Sequence, residues 1–199
     1  MRFPIKSVGA VALICFFLGF CLQAQAQKNL SKLLDELQKP ETSGQAAQQL
    51  RTLAKSRLPV RRYLASHLGS IIDATPPSGP IPPVPWVNAV ELAVEFKVAE
   101  ATPALAKQIQ YNTNAGSLSE PGIAGYPAAE ALAKIGDASI PALQKLLQTG
   151  TELERTNAVY VLLTIDSARA VAILRQTASE NSDPGGWPGA PRNRSVSCL

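Results

Sequence analysis

Three cations in this 199-residue chain recur at a spacing that could bind an anion together. Lys107, Lys145 and Arg175 are separated by 38 and 30 residues, and a glutamine adjoins each one: Gln108, Gln144 and Gln176. A cation beside an amide suits an acidic peptide or an anionic envelope polymer, held through charge-assisted hydrogen bonds. The same spacing also fits three solvated side chains on the polar face of a repeated unit. Elsewhere no residue suggests itself as catalytic, cofactor-binding or metal-ligating. His67 is the single histidine, and a zinc site needs three or four ligands. Glu91 and Glu95 lie one helical turn apart, a spacing that a solvated face explains. Glu152 and Glu154 fall at a helix start, where the helix dipole accounts for them. The chain holds no Gly-rich phosphate loop, no Gly-x-Ser-x-Gly elbow and no Cys-x-x-Cys-His haem motif.

The row of cations has meaning only if repeated helices position it. Pro127 to Leu147 reads PAAEALAKIGDASIPALQKLL. Ala128, Ala131, Leu132 and Ile135 fall at i, i+3, i+4 and i+7, one face of a helix. Gly136 can end that helix at little cost. Asp137 or Ser139 can cap the next one, and Pro141 fits its first turn. Ile140, Leu143, Leu146 and Leu147 form the second apolar face, and Gly150 stops it. So short a pair cannot bury its own apolar faces and needs similar neighbours. Asn157 to Thr177 aligns with the pair at an offset of 30 residues, and Thr151 with Glu154 has capping-box spacing before it. Thr102-Pro103-Ala104-Leu105 matches Ile140-Pro141-Ala142-Leu143 at an offset of 38. Ala89, Leu92, Ala93 and Phe96 supply the preceding helix after a slip of one residue. The insertion that lengthens the first offset is the Gly- and Ser-rich stretch from Thr113 to Gly125.

This pattern resembles HEAT repeats, in particular the short HEAT-like repeats of phycobilisome lyases. Ala131-Leu132-Ala133-Lys134-Ile135-Gly136-Asp137 and Ile140-Pro141-Ala142-Leu143-Gln144-Lys145-Leu146-Leu147 carry the resemblance. It implies an all-α fold, a right-handed α-α superhelix of short antiparallel helix pairs. The second helices of such a solenoid line its concave side, which would set the three cations in a row. HEAT-fold iron enzymes use His-Glu pairs on successive repeats, and nothing of that kind occurs here.

The chain divides into five stretches. Residues 1–26 read as a secretory signal: Arg2 and Lys6, an uncharged run of 15 residues from Val8 to Leu22, then the cleavage pattern Ala24-Gln25-Ala26. The run is short for a membrane span. A retained anchor is one alternative. Lipidation of Cys21 is another, because Leu18-Gly19-Phe20-Cys21 resembles a bacterial lipobox. Cleavage after Ala26 leaves 173 residues and lowers the formal charge from +4 to +2, which does not argue for nucleic acid. Of three cysteines only Cys198 then remains, so no intrachain disulfide can form. Residues 27–74 hold three amphipathic helices without the repeat consensus, an N-terminal cap or a divergent repeat. Residues 75–85 hold six prolines and form a linker from which helix is excluded. Trp86 opens the next helix and packs against the end of that linker. The HEAT-like repeats span 86–178. Residues 179–199 lose periodicity and read as a disordered tail that contains Trp187.

These features point to an exported, non-enzymatic protein-binding or scaffold protein that presents a helical surface to a periplasmic protein partner. No cofactor is expected, and a membrane only if the signal is retained or Cys21 is lipidated. The alternatives are an accessory lyase or chaperone-type factor, and a membrane-anchored structural component of the envelope.

Overall fold

A computed structural model describes residues 27–113 and 122–181 of the chain. Every element among them is helical, and no strand occurs. The leader at 1–26, the core of the insertion at 114–121, and the tail with Trp187 and Cys198 lie outside the described residues. Helix α1 is described over 27–37. It is followed by α2 (Ser43–Ser56), α3 (Leu58–Ala74), α4 (Val84–Glu95), α5 (Thr102–Lys107), α6 (Pro127–Ile135), α7 (Ile140–Thr149), α8 (Glu152–Ile165) and α9 (Ala168–Asn181).

From α2 onward the helices follow one another as four two-helix layers, α2/α3, α4/α5, α6/α7 and α8/α9; the two helices pack directly in the first and last, and α6 and α7 meet through the 3-10 turn Gly136–Ser139. The first helices pack in sequence, α2 on α4, α4 on α6 and α6 on α8. The second helices do the same, α3 on α5, α5 on α7 and α7 on α9. Diagonal contacts, α3 with α4, α5 with α6 and α7 with α8, close each layer onto the next. This is an all-α solenoid of the HEAT-like kind. Residues 27–74 contribute their last two helices as a layer stacked like the others.

Proline sets most of the helix starts. Five consecutive helices, α3 to α7, carry one in the first turn, where a missing N–H removes no intrahelical bond. Pro85 is one of them. Helix α4 therefore begins at Val84 rather than at Trp86, and the non-helical linker ends at Pro83. At the other end α9 continues three residues past Ala178, to Asn181.

The turn after the first helix of a layer reverses through a positive φ in three layers. Lys97 (φ 53), Gly136 (φ 83) and Asp166 (φ 46) occupy it. Gly136 combines φ 83 with ψ −142, a region essentially open to glycine alone.

Capping differs in part from what the sequence predicts. Thr151 and Glu154 form the full capping box. Ser139 precedes α7 but does not cap it; its hydroxyl donates backward to the carbonyls of Leu132 (3.0 Å) and Gly136 (2.7 Å). A 3-10 turn over Gly136–Ser139 leaves those carbonyls facing the serine. Thr42 likewise donates to Glu36 O at 2.8 Å instead of accepting from α2.

One continuous apolar cluster runs from Leu30 to Ala170. It contains the predicted Ala128, Ala131, Leu132, Ile135, Ile140 and Leu143, with Leu146 and Leu147 half-buried. Buried polar groups stitch the layers. Asn88 Nδ2 donates to Ser43 Oγ at 2.8 Å. Asn157, 2 % exposed, reaches past the adjacent layer and donates to Ile109 O at 2.9 Å.

Candidate functional site

Helix α4 is apolar on more than its core side. Ala89, Leu92, Ala93 and Phe96 are buried, as the one-residue slip predicts. Val87, Val90 and Val94, at i, i+3 and i+7, form a second stripe that faces α6 across a groove of about 510 Å³. Val87 and Val94 are only half-buried. Pro82 and Pro127 line the groove with them, and the small side chain of Ala131 on α6 leaves it open. Its size and apolar lining match those of sites that bury a small molecule or a short peptide segment.

The rim is charged. Arg51 of α2 donates through Nε to Glu95 Oε2 at 2.5 Å and through Nη2 to Glu91 Oε2 at 3.4 Å. Lys55 adds a second ion pair to Glu95 at 2.8 Å. On the opposite side Glu130 accepts from Gly125 N at 3.2 Å, and Lys134 stands 3.9 Å from its other oxygen. Glu91 and Glu95 are thus a solvated pair held to α2, as their spacing predicts.

The Lys55 hydrogen bond holds the Glu95 carboxyl below its ordinary value; partial desolvation opposes this and Arg51 reinforces it. A carboxylate with a lowered folded pKa stabilises fully above its unfolded pKa, near 4.5 here. That contribution fades as pH falls through the folded value. Glu95→Gln should therefore cost stability at neutral pH, by less than about 1 kcal/mol for so exposed a network. The cost should vanish well below pH 4.5. Urea unfolding of both proteins at the two conditions checks this, and a difference that grows in acid would refute it.

The cation row is not assembled as one free set. Lys107 is bound to Asp73 at 2.7 Å. Gln108 faces inward: its amide donates to Ile72 O at 3.1 Å and its carbonyl accepts from Trp86 Nε1 at 2.5 Å. Lys145 on α7 and Arg175 and Gln176 on α9 are exposed, and Gln144 is half-buried. His67 stacks on Tyr63 with centroids 4.3 Å apart and donates through Nδ1 to Tyr63 O at 2.8 Å, a packing role. Glu154 is held below the ordinary carboxylate range chiefly by the Thr151 backbone N–H. Among the described residues no group of three His, Cys, Asp or Glu side chains is placed to hold a metal. No helix among them is long and apolar enough to cross a membrane.

Residues 128–149, which are α6, its 3-10 turn and α7, match the family described as PBS lyase HEAT-like repeat. The chain carries a HEAT-like repeat. The match covers the central layer that the groove borders, and the layers on either side stack on this HEAT-like unit in the same manner. No curated protein and no solved structure matches the chain.

Val87, Val90 and Val94 fall at i, i+3 and i+7 in the sequence, yet nothing in their type or spacing marks a site. The signal is a surplus: α4 carries two apolar stripes, and a helix with a single core-facing side needs one.

Proposed function

We propose that this chain is an exported, non-enzymatic protein-binding or scaffold protein whose partner seats in the groove between α4 and α6. The observation that carries the reading is the half-buried valine stripe with ion-paired carboxylates at its edge. The groove supplies apolar contact and fixed charge, which is what recognition needs. HEAT-like repeats are commonly interaction modules, and a solenoid has much surface per residue and few deep pockets. Residues 1–26 support export to the periplasm, and the pattern at Ala24-Gln25-Ala26 supports release there. Lys107 and Gln108 are occupied within the fold, so the groove accounts for a binding site better than the cation row does.

A photo-crosslinking residue tests the site directly. Placed at Val94, it should trap one discrete protein in the periplasmic fraction; placed at Lys145, it should not. With the crosslinker at Val94, Val87→Glu should reduce capture more than tenfold without unfolding the chain, because that side chain borders solvent. Trapping from Lys145 or Arg175 alone would move the site to the cation row. A chain found only in the cytosol would remove the export step.

A further inference from the structure

The near-neutral total charge conceals a segregation. Between residues 42 and 72 the chain holds five cations and no aspartate or glutamate; the remainder from residue 27 onward holds fifteen acids against twelve cations. The fold gathers part of this excess at one edge. Arg57 occupies the turn between α2 and α3, and Leu58, Arg61 and Arg62 follow at i, i+3 and i+4 on one face of α3. Arg61 donates to Phe96 O at 3.2 Å and lies 5.4 Å from the centre of the Phe96 ring. Among the described residues Arg57, Arg61 and Arg62 have no carboxylate within 4.0 Å. In their midst Leu58 is 60 % exposed.

We infer that this α2–α3 edge docks on an anionic lipid bilayer, with the three arginines on the headgroups and Leu58 entering the acyl boundary. The charge complementarity alone would also suit an acidic protein or a nucleic acid. Leu58 decides for the bilayer: a leucine held out among cations has a place to go at a membrane interface and none on a hydrophilic polyanion. The surface lies at the start of α3, which lines no part of the groove, and stands independently of the partner proposed there.

Residues 27–199 suit the experiment. They contain the whole core, Leu30 to Ala170, and omit the uncharged run at 8–22, which would enter lipid by itself. Sedimentation with phosphatidylcholine vesicles containing phosphatidylglycerol, and with phosphatidylcholine vesicles alone, should show binding to the first only, lost at high salt. Arg57→Gln with Arg62→Gln should weaken partitioning by roughly 25-fold, about fivefold for each charge removed. Leu58→Ser should weaken it while leaving the salt dependence unchanged. Lys145→Gln with Arg175→Gln should change nothing. Thermal melts by circular dichroism establish that each variant is folded. Equal binding to both vesicles, binding to neither, or undiminished binding by the Arg57/Arg62 variant overturns the proposal. So does a preference for polyglutamate or RNA over anionic vesicles.

Discussion

Replacing Trp86 by alanine is expected to cost about 4 kcal/mol of stability, the upper range for a buried aromatic. The indole is 1 % exposed and is the largest fully buried side chain among the described residues. It also links three segments. Its Nε1 donates to Gln108 Oε1 at 2.5 Å, and the Gln108 amide donates in turn to Ile72 O at 3.1 Å on α3. Its ring stands edge-on to Tyr111 at 6.0 Å and 71°. The Tyr111 hydroxyl donates to Gly79 O at 2.7 Å and so ties down the proline-rich segment. Truncation leaves a cavity between two layers, strands the Gln108 carbonyl without its donor and loosens the linker. Trp86→Phe keeps most of the volume but removes the donor, and should cost about 1–2 kcal/mol, the penalty of an unsatisfied buried polar group. Urea unfolding followed by far-ultraviolet circular dichroism separates the two. Equal losses in both variants would show that the hydrogen bond, and not packing, carries the effect.

The second large effect is expected at Gly69, in the middle of α3. Helix propensity favours alanine over glycine by about 1 kcal/mol, so Gly69→Ala would ordinarily stabilise. Here a Cβ would stand 2.9 Å from Glu100 O and 3.6 Å from Ala101 Cα. Both are backbone atoms of the 3-10 turn Ala99–Ala101, which packs on α3 and cannot swing aside as a side chain could. The steric cost should outweigh the propensity gain. Gly69→Ala should destabilise by about 1 kcal/mol and Gly69→Val by about 3 kcal/mol, at the upper end of overpacking penalties. A stabilised Gly69→Ala would mean that α3 and the 3-10 turn stand further apart than a 2.9 Å approach to Glu100 O requires.

Periodicity is informative where partners are local and stops being so where they come from distant residues. Ala131, Leu132 and Ile135 announce their helix because burial repeats every three to four residues, and the Thr151–Glu154 box announces a start because both partners are local. Ser139 misleads for the same local reason. Its type suits an N-cap, but the 3-10 turn places the carbonyls of Leu132 and Gly136 within reach first. Gln108 looks like a surface amide beside Lys107, yet its partners come from residues 72 and 86, at a distance that no local pattern encodes. The groove was half legible. Val87, Val90 and Val94 are visible as a face, but that they look across to Ala131 follows only from how α4 stacks on α6. The basic edge was hidden by averaging, since a mature charge of +2 conceals an acid-free stretch from 42 to 72.

The layered architecture, in which each helix pair is sealed by its immediate neighbours, is tested most directly by native-state hydrogen exchange on residues 27–199 carrying Leu162→Ala. Leu162 is fully buried in the last layer, and its truncation should cost about 3 kcal/mol locally. Stacked layers predict faster exchange in α8 and α9, by up to about a hundredfold, with the effect fading through α6 and α7 and amides of α2 and α3 almost unchanged. Uniform acceleration of every helix, α2 and α3 included, would mean a single closed globule and would contradict the account.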